Sequence, residues 1–290
     1  MRLIKPSFEI WNQPAGLEGV YKQIEKVGRV CYKSEDKITE DSAKPFVERM
    51  VKSGHGAMLE HGTVYLQYEV VKSAINPLTK YYLNKYSKVK AKEGAIGETM
   101  RLFVTTNLRV LVENDWLKDL EYICEPTEYH ERRVTVHFVC DRGVSHEFVR
   151  HRVFSFAQES TRYCNYSKDK FGNEITFIKP CFLDDSKLAL YGPYHTVIRD
   201  KSPESIFIAS LNNAEKDYID LIDLGWKPQE ARAVLPNALK TELVVTGFAS
   251  DWNHFFDLRA KGTSGAPHPQ AKELAEPLMK EFIARKYINN

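Results

Sequence analysis

Apolar residues recur at helical spacing in residues 17–28 and again in 42–52, where Asp41 or Ser42 can serve as the N-cap. The period then changes. Val64, Leu66 and Tyr68 alternate with their neighbours through residues 63–70, which predicts a strand. Residues 73–133 carry a weaker pattern, rich in Lys and Tyr around Tyr81 and Tyr82, with residues 102–104 and 108–112 as candidate strands. Strand character resumes at 134–139, residues 141–143 read as a turn, and a helical spacing follows with Val144, Phe148 and Val149 on one side. After a loop-rich section Pro203 opens a helix, with Phe207, Leu211, Ala214, Tyr218 and Leu221 three and four apart and Gly225 ending it. A short helix over 228–235, a strand at 243–246, a helix over 251–259 and a last helix over 268–287 complete the reading. With no internal repeat and no low-complexity linker, residues 1–290 are expected to form one α+β domain of mixed or antiparallel sheet with flanking helices, elaborated by an insertion at about 73–133.

Composition narrows the chemistry. A chain of 290 residues with 43% hydrophobic content can bury a substantial core. No apolar run approaches the roughly 20 residues that span a bilayer, and the N-terminal residues lack the apolar stretch of a secretory signal, so a cytoplasmic protein without a membrane partner is expected. The five cysteines (Cys31, Cys124, Cys140, Cys164, Cys181) form no Cys-x-x-Cys pair and read as reduced thiols, giving neither a disulfide framework nor a structural zinc site. A net charge of +2 on 41 basic and 39 acidic side chains leaves no general cationic field for long nucleic acid, so any anion must be bound locally.

The place for such an anion is conspicuous. Residues 150–162 contain Arg150, His151, Arg152, Gln158, Glu159, Ser160, Thr161 and Arg162, and Glu147 precedes them. Arginine grips phosphate through paired hydrogen bonds and keeps its charge, while Ser160 and Thr161 add hydroxyls. Side chains two apart on a helix point to nearly opposite sides, so Arg150 and Arg152 cannot share one small ligand unless the helix ends between them, two ligands are bound, or the site lies between subunits. The plainer reading is that these arginines pair with surface carboxylates.

Arg150-His151-Arg152, followed after seven residues by Ser160, resembles the signature of the flavin-dependent thymidylate synthases, the ThyX family. Other segments lie in the matching order: Gly54-His55-Gly56 and Glu60-His61 upstream, His146-Glu147-Phe148-Val149 beside the signature, and Glu230-Ala231-Arg232 and Asp257-Leu258-Arg259 downstream. The resemblance covers about residues 20–70, 134–186 and 204–285. It implies reductive methylation of dUMP to dTMP with methylenetetrahydrofolate as carbon donor, FAD as redox relay and NADPH as reductant. It also implies a homotetramer with active sites between subunits.

By matching position the resemblance assigns dUMP to Glu147, Phe148, Val149 and Arg150 of one subunit and to Gln158, Glu159, Ser160, Thr161 and Arg162 of another, with Arg232 nearby. It places Arg259 beside the uracil as the catalytic cation, and FAD against His55, Arg150, His151, Arg152, Gln158, His254 and His268. Against these stand plainer roles: a helix-end salt bridge of Arg259 with Asp257 or Asp251, and structural or surface histidines, above all His268 at a helix start. Ser160 lacks an identifiable base and is read as a ligand group rather than a nucleophile. Cys164 is read as packing.

The chain departs from the family's pattern at Ala57, Phe248 and His254, in the spacer of residues 262–267, and in residues 73–133. Two competing readings start from other residues. One is a nucleotide phosphohydrolase holding a metal on His55, Glu60 and His61, whose spacing fits no usual zinc pattern, so no metal is expected. The other is an RNA-binding module in which Arg150, Arg152 and Arg162 meet phosphates while Tyr81, Tyr82 and Tyr86 stack on bases.

Overall fold

The computed structural model describes residues 1–71, 79–94, 97–168, 171–188 and 202–289. In chain order these form β1 (Arg2–Ile4), β2 (Ser7–Trp11), α1 (Gly16–Tyr32), α2 (Ala43–Lys52), α3 (Gly56–Leu59), β3 (Thr63–Val71), α4 (Thr79–Leu83), β4 (Lys88–Glu93), β5 (Thr99–Asn107) and α5 (Leu108–Glu113). There follow β6 (Arg133–Asp141), α6 (Arg142–Phe148), β7 (Ser155–Gln158), β8 (Thr176–Ile178), α7 (Asp185–Leu188), α8 (Pro203–Asp223), α9 (Pro228–Ala231), β9 (Lys240–Phe248), α10 (Ala249–Phe256) and α11 (Pro269–Ala284).

The fold is α+β, as the period changes along the chain predict. An antiparallel sheet of order β2-β6-β9-β7 is its centre, with β6 and β9 paired over their whole lengths from Arg133↔Phe248 to Asp141↔Lys240. One face carries α6, α10 and α11, whose Phe148, Trp252, Phe255, Phe256 and Phe282 pack on Phe138 and Val136 from β6. These seven side chains, six of them aromatic, are each at most 1% exposed, so this face is a close-packed core. A second antiparallel sheet, β3-β5-β4, packs with α1, α2 and α5 around Ile24, Phe46, Leu66 and Val104. Strands β1 and β8 form a short parallel pair.

Several local expectations need correction. Residues 108–112 are helix, not strand: an apolar run of five fits either element, and the Asn107 side chain decides by accepting from the Val110 amide at 3.1 Å as an N-cap. The strand read over residues 63–70 is present as β3 and pairs antiparallel with β5 from Thr63↔Asn107 to Val71↔Thr99. Residues 141–143 do not form a free turn, because Asp141 caps α6 directly and accepts from Val144 N at 2.8 Å. Val149, expected on the buried side, sits exposed at the C-cap. Ser42 stands at the N-cap of α2, but its hydroxyl turns to Glu25 (2.7 Å).

Among the described residues no helix is long and apolar enough to cross a membrane.

Candidate functional site

Helix α6 is only seven residues long, and that brevity shapes the site. Its last residue, Phe148, is fully buried with its ring 5.0 Å from both Phe138 and Phe255. The chain therefore leaves the helix before Arg150, and the geometric objection to two arginines two residues apart disappears. His151 turns inward, 6% exposed, against Phe255 (5.0 Å), His254 (5.7 Å) and Phe154 (6.1 Å). Arg150 and Arg152 point outward and are exposed, and among the described residues their side chains make no hydrogen bond or ion pair.

Arg259 closes this end. It lies in a π-helical turn, Asp257–Lys261, that follows α10 and ends at Gly262 in the left-handed region. The wider turn, a frequent mark of functional sites, re-aims the side chain across to α6. Nη1 donates to the Glu147 carboxylate at 2.5 Å, Nη2 to the Glu147 carbonyl at 2.9 Å, and Nε to His151 Nε2 at 3.2 Å. The salt bridge that the plainer reading gave to Asp257 or Asp251 is thus made with Glu147 instead. Because His151 Nε2 accepts from a cation, its ring must be neutral with the proton on Nδ1. Burial, then Arg259, then His254 lower its pKa to about 4.

Phe154 anchors the next segment. Its ring lies 4.6 Å from Trp252 and over Gly247, where a Cβ would come within 2.1 Å of it, so only glycine lets β9 pass beneath. Strand β7 then pairs with β9 from Ser155↔Thr246 to Gln158↔Leu243. Its four residues carry the chain roughly 13 Å to a second group of side chains. Gln158 Nε2 donates to Ser145 Oγ (2.9 Å) and Thr241 Oγ1 (3.2 Å), which ties this group back to α6. Glu159 is buried, its carboxylate accepting from Lys240 Nζ at 2.8 Å and the Tyr166 hydroxyl at 3.2 Å. Ser160 N donates to the Cys31 carbonyl (2.9 Å) and its Oγ accepts from Arg162 N (3.3 Å). Thr161 Oγ1 accepts from Arg232 Nη1 at 3.0 Å. Arg162 is exposed, its guanidinium 5.5 Å above the Tyr163 ring and without an ion pair among the described residues.

Beneath this loop lies a charge network that the sequence did not reveal. The Glu242 carboxylate accepts from Lys33 Nζ (2.7 Å), Lys240 Nζ (2.5 Å) and His137 Nε2 (2.9 Å). Burial alone would raise its pKa, but the His137 hydrogen bond and the charges of Lys240 and Lys33 outweigh it and hold the group well below the usual carboxylate range. The one sequence-distant oddity that marks it is Lys33, which takes a left-handed backbone (φ 47°) to end α1.

The predicted histidines are dispersed. His55 is exposed at the start of α3 and lines a cavity of about 490 Å³ with Arg29, Tyr32, Phe46 and Arg49. That cavity adjoins the Arg162 loop, for Tyr32 packs against Tyr163 at 5.2 Å. His254 is exposed beside His151, and His268 is exposed at the start of α11 without a side-chain cap. The metal set of the hydrolase reading does not converge: Glu60 is paired with Arg109 (2.5 Å) and His61 is buried on Thr246 Oγ1 (2.8 Å). Tyr81, one of the three stacking tyrosines of the RNA reading, is wholly buried; Tyr82 and Tyr86 are exposed.

Residues 127–285, more than half of the chain, match the family model described as thymidylate synthase complementing protein. The chain belongs to this family. The matched region runs through β6 to α11 and so contains both ends of the arginine segment together with Arg232 and Arg259, while the β3-β5-β4 sheet precedes it. The chain is 30% identical over 118 residues to the flavin-dependent thymidylate synthase of Geobacter sulfurreducens, covering 41% of this chain and 43% of that protein. It is 35% identical over 125 residues to that of Mycolicibacterium gilvum (41% and 46%) and 28% identical over 149 residues to that of Pyrococcus abyssi (51% and 53%). The chain spans about half the length of the curated relatives it matches. A solved structure of the UMP/dUMP methylase PolB from Streptomyces cacaoi bound with 5-Br dUMP aligns at TM-score 0.43 and 17% identity, over 98% of this chain and 93% of that one.

Proposed function

We propose that this protein methylates dUMP reductively to dTMP, with methylenetetrahydrofolate as the carbon donor, FAD as the redox cofactor and NADPH as the reductant. The observation that carries the reading is the contrast among its arginines: Arg150, Arg152 and Arg162 stand exposed without carboxylate partners among the described residues, on a segment whose backbone is held by buried rings and strand pairing. Unpaired guanidinium groups on a rigid frame are what recognition of phosphate requires.

The donor set fits a flavin dinucleotide. Arg150 and Arg152 supply permanent charge for its phosphates, and His55, His151, Gln158, His254 and His268 supply neutral or titratable contacts. Bound there, the flavin supplies the hydride that reduces the pyrimidine. The chain's own residues do the rest. Arg162 and Ser160, with Gln158, Thr161 and Arg232, hold the dianionic nucleotide, the buried Glu159 carboxylate being taken by Lys240 and Tyr166 to support the loop beneath them, and Glu147 to Arg150 complete the site from a neighbouring subunit. Arg259 has five N–H donors and uses three on Glu147 and His151, so two remain to stabilise negative charge developing on a uracil ring. No thiol is needed. Burial raises the Cys31 thiol, whose residue adjoins the loop, to about 11, where it stays protonated.

A homotetramer accounts for the exposed apolar residues among the free arginines, Val149 and Val153, the latter 62% exposed, which a second subunit would cover. Residues 1–290 then act as one catalytic domain in which the β3-β5-β4 sheet is an elaboration. The test is optical and chemical: freshly purified protein should show a flavin band in the blue that bleaches under NADPH without oxygen, and should form dTMP only when dUMP and methylenetetrahydrofolate are both present. Folded protein that refuses added FAD overturns the reading.

A further inference from the structure

Away from the arginine segment a second cavity of about 280 Å³ lies between the two larger sheets, bounded by Trp11 and Gln13 after β2, Tyr65 and Cys124 on the added sheet's side, and Arg132 and Arg133 at the start of β6. Its polar groups divide sharply into satisfied and unsatisfied. The Gln13 amide is satisfied, exchanging two hydrogen bonds of 2.8 Å with the backbone of Thr63 as a strand partner would. Arg133 is not. Nη1 donates to the Glu60 carbonyl (2.9 Å) and Thr63 Oγ1 (3.3 Å) and Nη2 to Ser155 Oγ (3.4 Å), yet Nε is sealed from solvent with no partner.

No carboxylate among the described residues forms an ion pair with this guanidinium; that of Glu60 is taken by Arg109. Burial draws the pKa of Arg133 down to about 10, outweighing the opposite pull of Tyr65, Glu60 and Asp251, none of which forms an ion pair with it. Arg132, exposed at the rim, likewise has no side-chain hydrogen bond or ion pair among the described residues. The Tyr65 hydroxyl accepts from Arg133 N (3.3 Å), and its own O–H finds no acceptor there. Among the described residues Glu125 is the one carboxylate lining the cavity.

Cys124 does not make this a nucleophilic site. His130 Nε2 lies 3.8 Å from its sulfur, but His130 Nδ1 accepts from Thr127 N (3.1 Å), so Nε2 carries the proton and donates to the Leu66 carbonyl at 3.1 Å. No base faces the thiol.

A half-buried cation that no carboxylate pairs with among the described residues, beside a second guanidinium likewise unpaired there and a phenol donor, is a receptor for an oxyanion. The volume is below the range of about 300–1,000 Å³ that holds drug-sized ligands, which excludes a dinucleotide. We propose that this cavity binds a small metabolite bearing a carboxylate or a phosphate ester, held by Arg132, Arg133 and Tyr65 and separate from the nucleotide site. The Arg133 contact to Ser155, three residues beyond Arg152, puts it one side chain behind the signature segment.

The test is calorimetric titration of the whole chain with inorganic phosphate and, separately, with succinate, in the wild type and in Arg162→Gln, Arg132→Gln and Arg133→Gln. Phosphate also reports on the nucleotide site, and Arg162→Gln removes that contribution. We expect binding that persists in Arg162→Gln, weakens about tenfold in Arg132→Gln and is lost in Arg133→Gln; the stronger probe tells phosphate ester from carboxylate. If Arg133→Gln does not fold, Tyr65→Phe replaces it, with an expected weakening of several-fold. Heat from neither probe up to about 10 mM, binding indifferent to Arg132→Gln, or binding that vanishes with Arg162→Gln overturns the proposal. The last result would leave the nucleotide reading standing, so the two fail separately.

Discussion

The two ends of the segment between α6 and the Ser160 loop treat their arginines in opposite ways. At the α6 end Arg259 is wrapped, with three hydrogen bonds to Glu147 and to His151, whose own ring lies against Phe154 and Phe255. At the β7 end Arg162 is open, resting on one tyrosine ring. A wrapped cation belongs to the fold as much as to the chemistry, whereas an open one contributes to the fold almost nothing and is kept, on the proposed reading, for its ligand. The difference predicts that the same substitution, arginine to alanine, separates into two phenotypes.

Arg259→Ala has the larger expected effect. It strips donors from a carboxylate and from a buried imidazole, so it should lower stability by about 2–3 kcal/mol as well as abolish dTMP formation. Loss of activity with an unchanged urea midpoint would show that the wrapping is incidental. Arg259→Lys, a point charge on a flexible stem, cannot bridge Glu147 and His151 together and should recover only part of the stability.

Arg162→Ala comes next. Here kcat/KM for dUMP should fall by about a hundredfold, near 2.7 kcal/mol, with the melting temperature held within about 2 °C. Should the melting temperature fall as far as in Arg259→Ala, the contrast between the two ends collapses.

The third expectation concerns pH and is read first at the wrapped end. His151 has its pKa lowered to about 4 in the folded protein, against about 6.5 in an unfolded chain. The folded state resists the proton that the unfolded state accepts. Stability should therefore be complete above about pH 6.5 and decline as pH falls from there toward about 4. Comparing denaturation midpoints at pH 7 and pH 5 for the wild type and His151→Gln checks the sign, since the variant should lose that part of the slope. Glu242 acts the same way lower on the scale: its depressed pKa gives stability above the usual carboxylate range that is lost on strong acidification.

What could be read in the sequence and what could not divides along similar lines. Periodicity marked α1, α8, β3, β6 and α11 because one face of each is buried on a single core, and the burial writes itself into the spacing. It missed β7, where four residues are too few to show a period, and β4, a Lys-rich edge strand whose outward positions are almost all wet. It misread α5, since the deciding signal was a single cap residue, Asn107, outside the apolar run. In the site, the type and order of Arg150, Arg152, Arg162 and Arg259 were legible because arginine chemistry is carried by the side chain itself. Their partners were not. Glu147 and His151 meet Arg259 from 112 and 108 positions away, and Glu242 meets Lys33 across 209, distances over which no local pattern operates. The buried state of Glu159, assigned to the nucleotide, was likewise beyond reach of spacing, for it depends on Lys240 arriving from a later element.

The smallest expected effect falls at the open end and decides what Ser160 is for. Its Oγ accepts from the Arg162 amide, and no basic side chain among the described residues hydrogen-bonds to it. A hydroxyl in that setting shapes the loop and can donate to a phosphate, but it has nothing to take its proton. Ser160→Ala should therefore cost about 1 kcal/mol of binding, roughly a fivefold rise in KM for dUMP, with kcat nearly unchanged. A covalent serine would behave otherwise: its removal would take away kcat by several orders of magnitude and leave KM alone. The split between KM and kcat thus tests whether the open end only holds its ligand, while electrostatic work on the ring stays with Arg259 at the wrapped end.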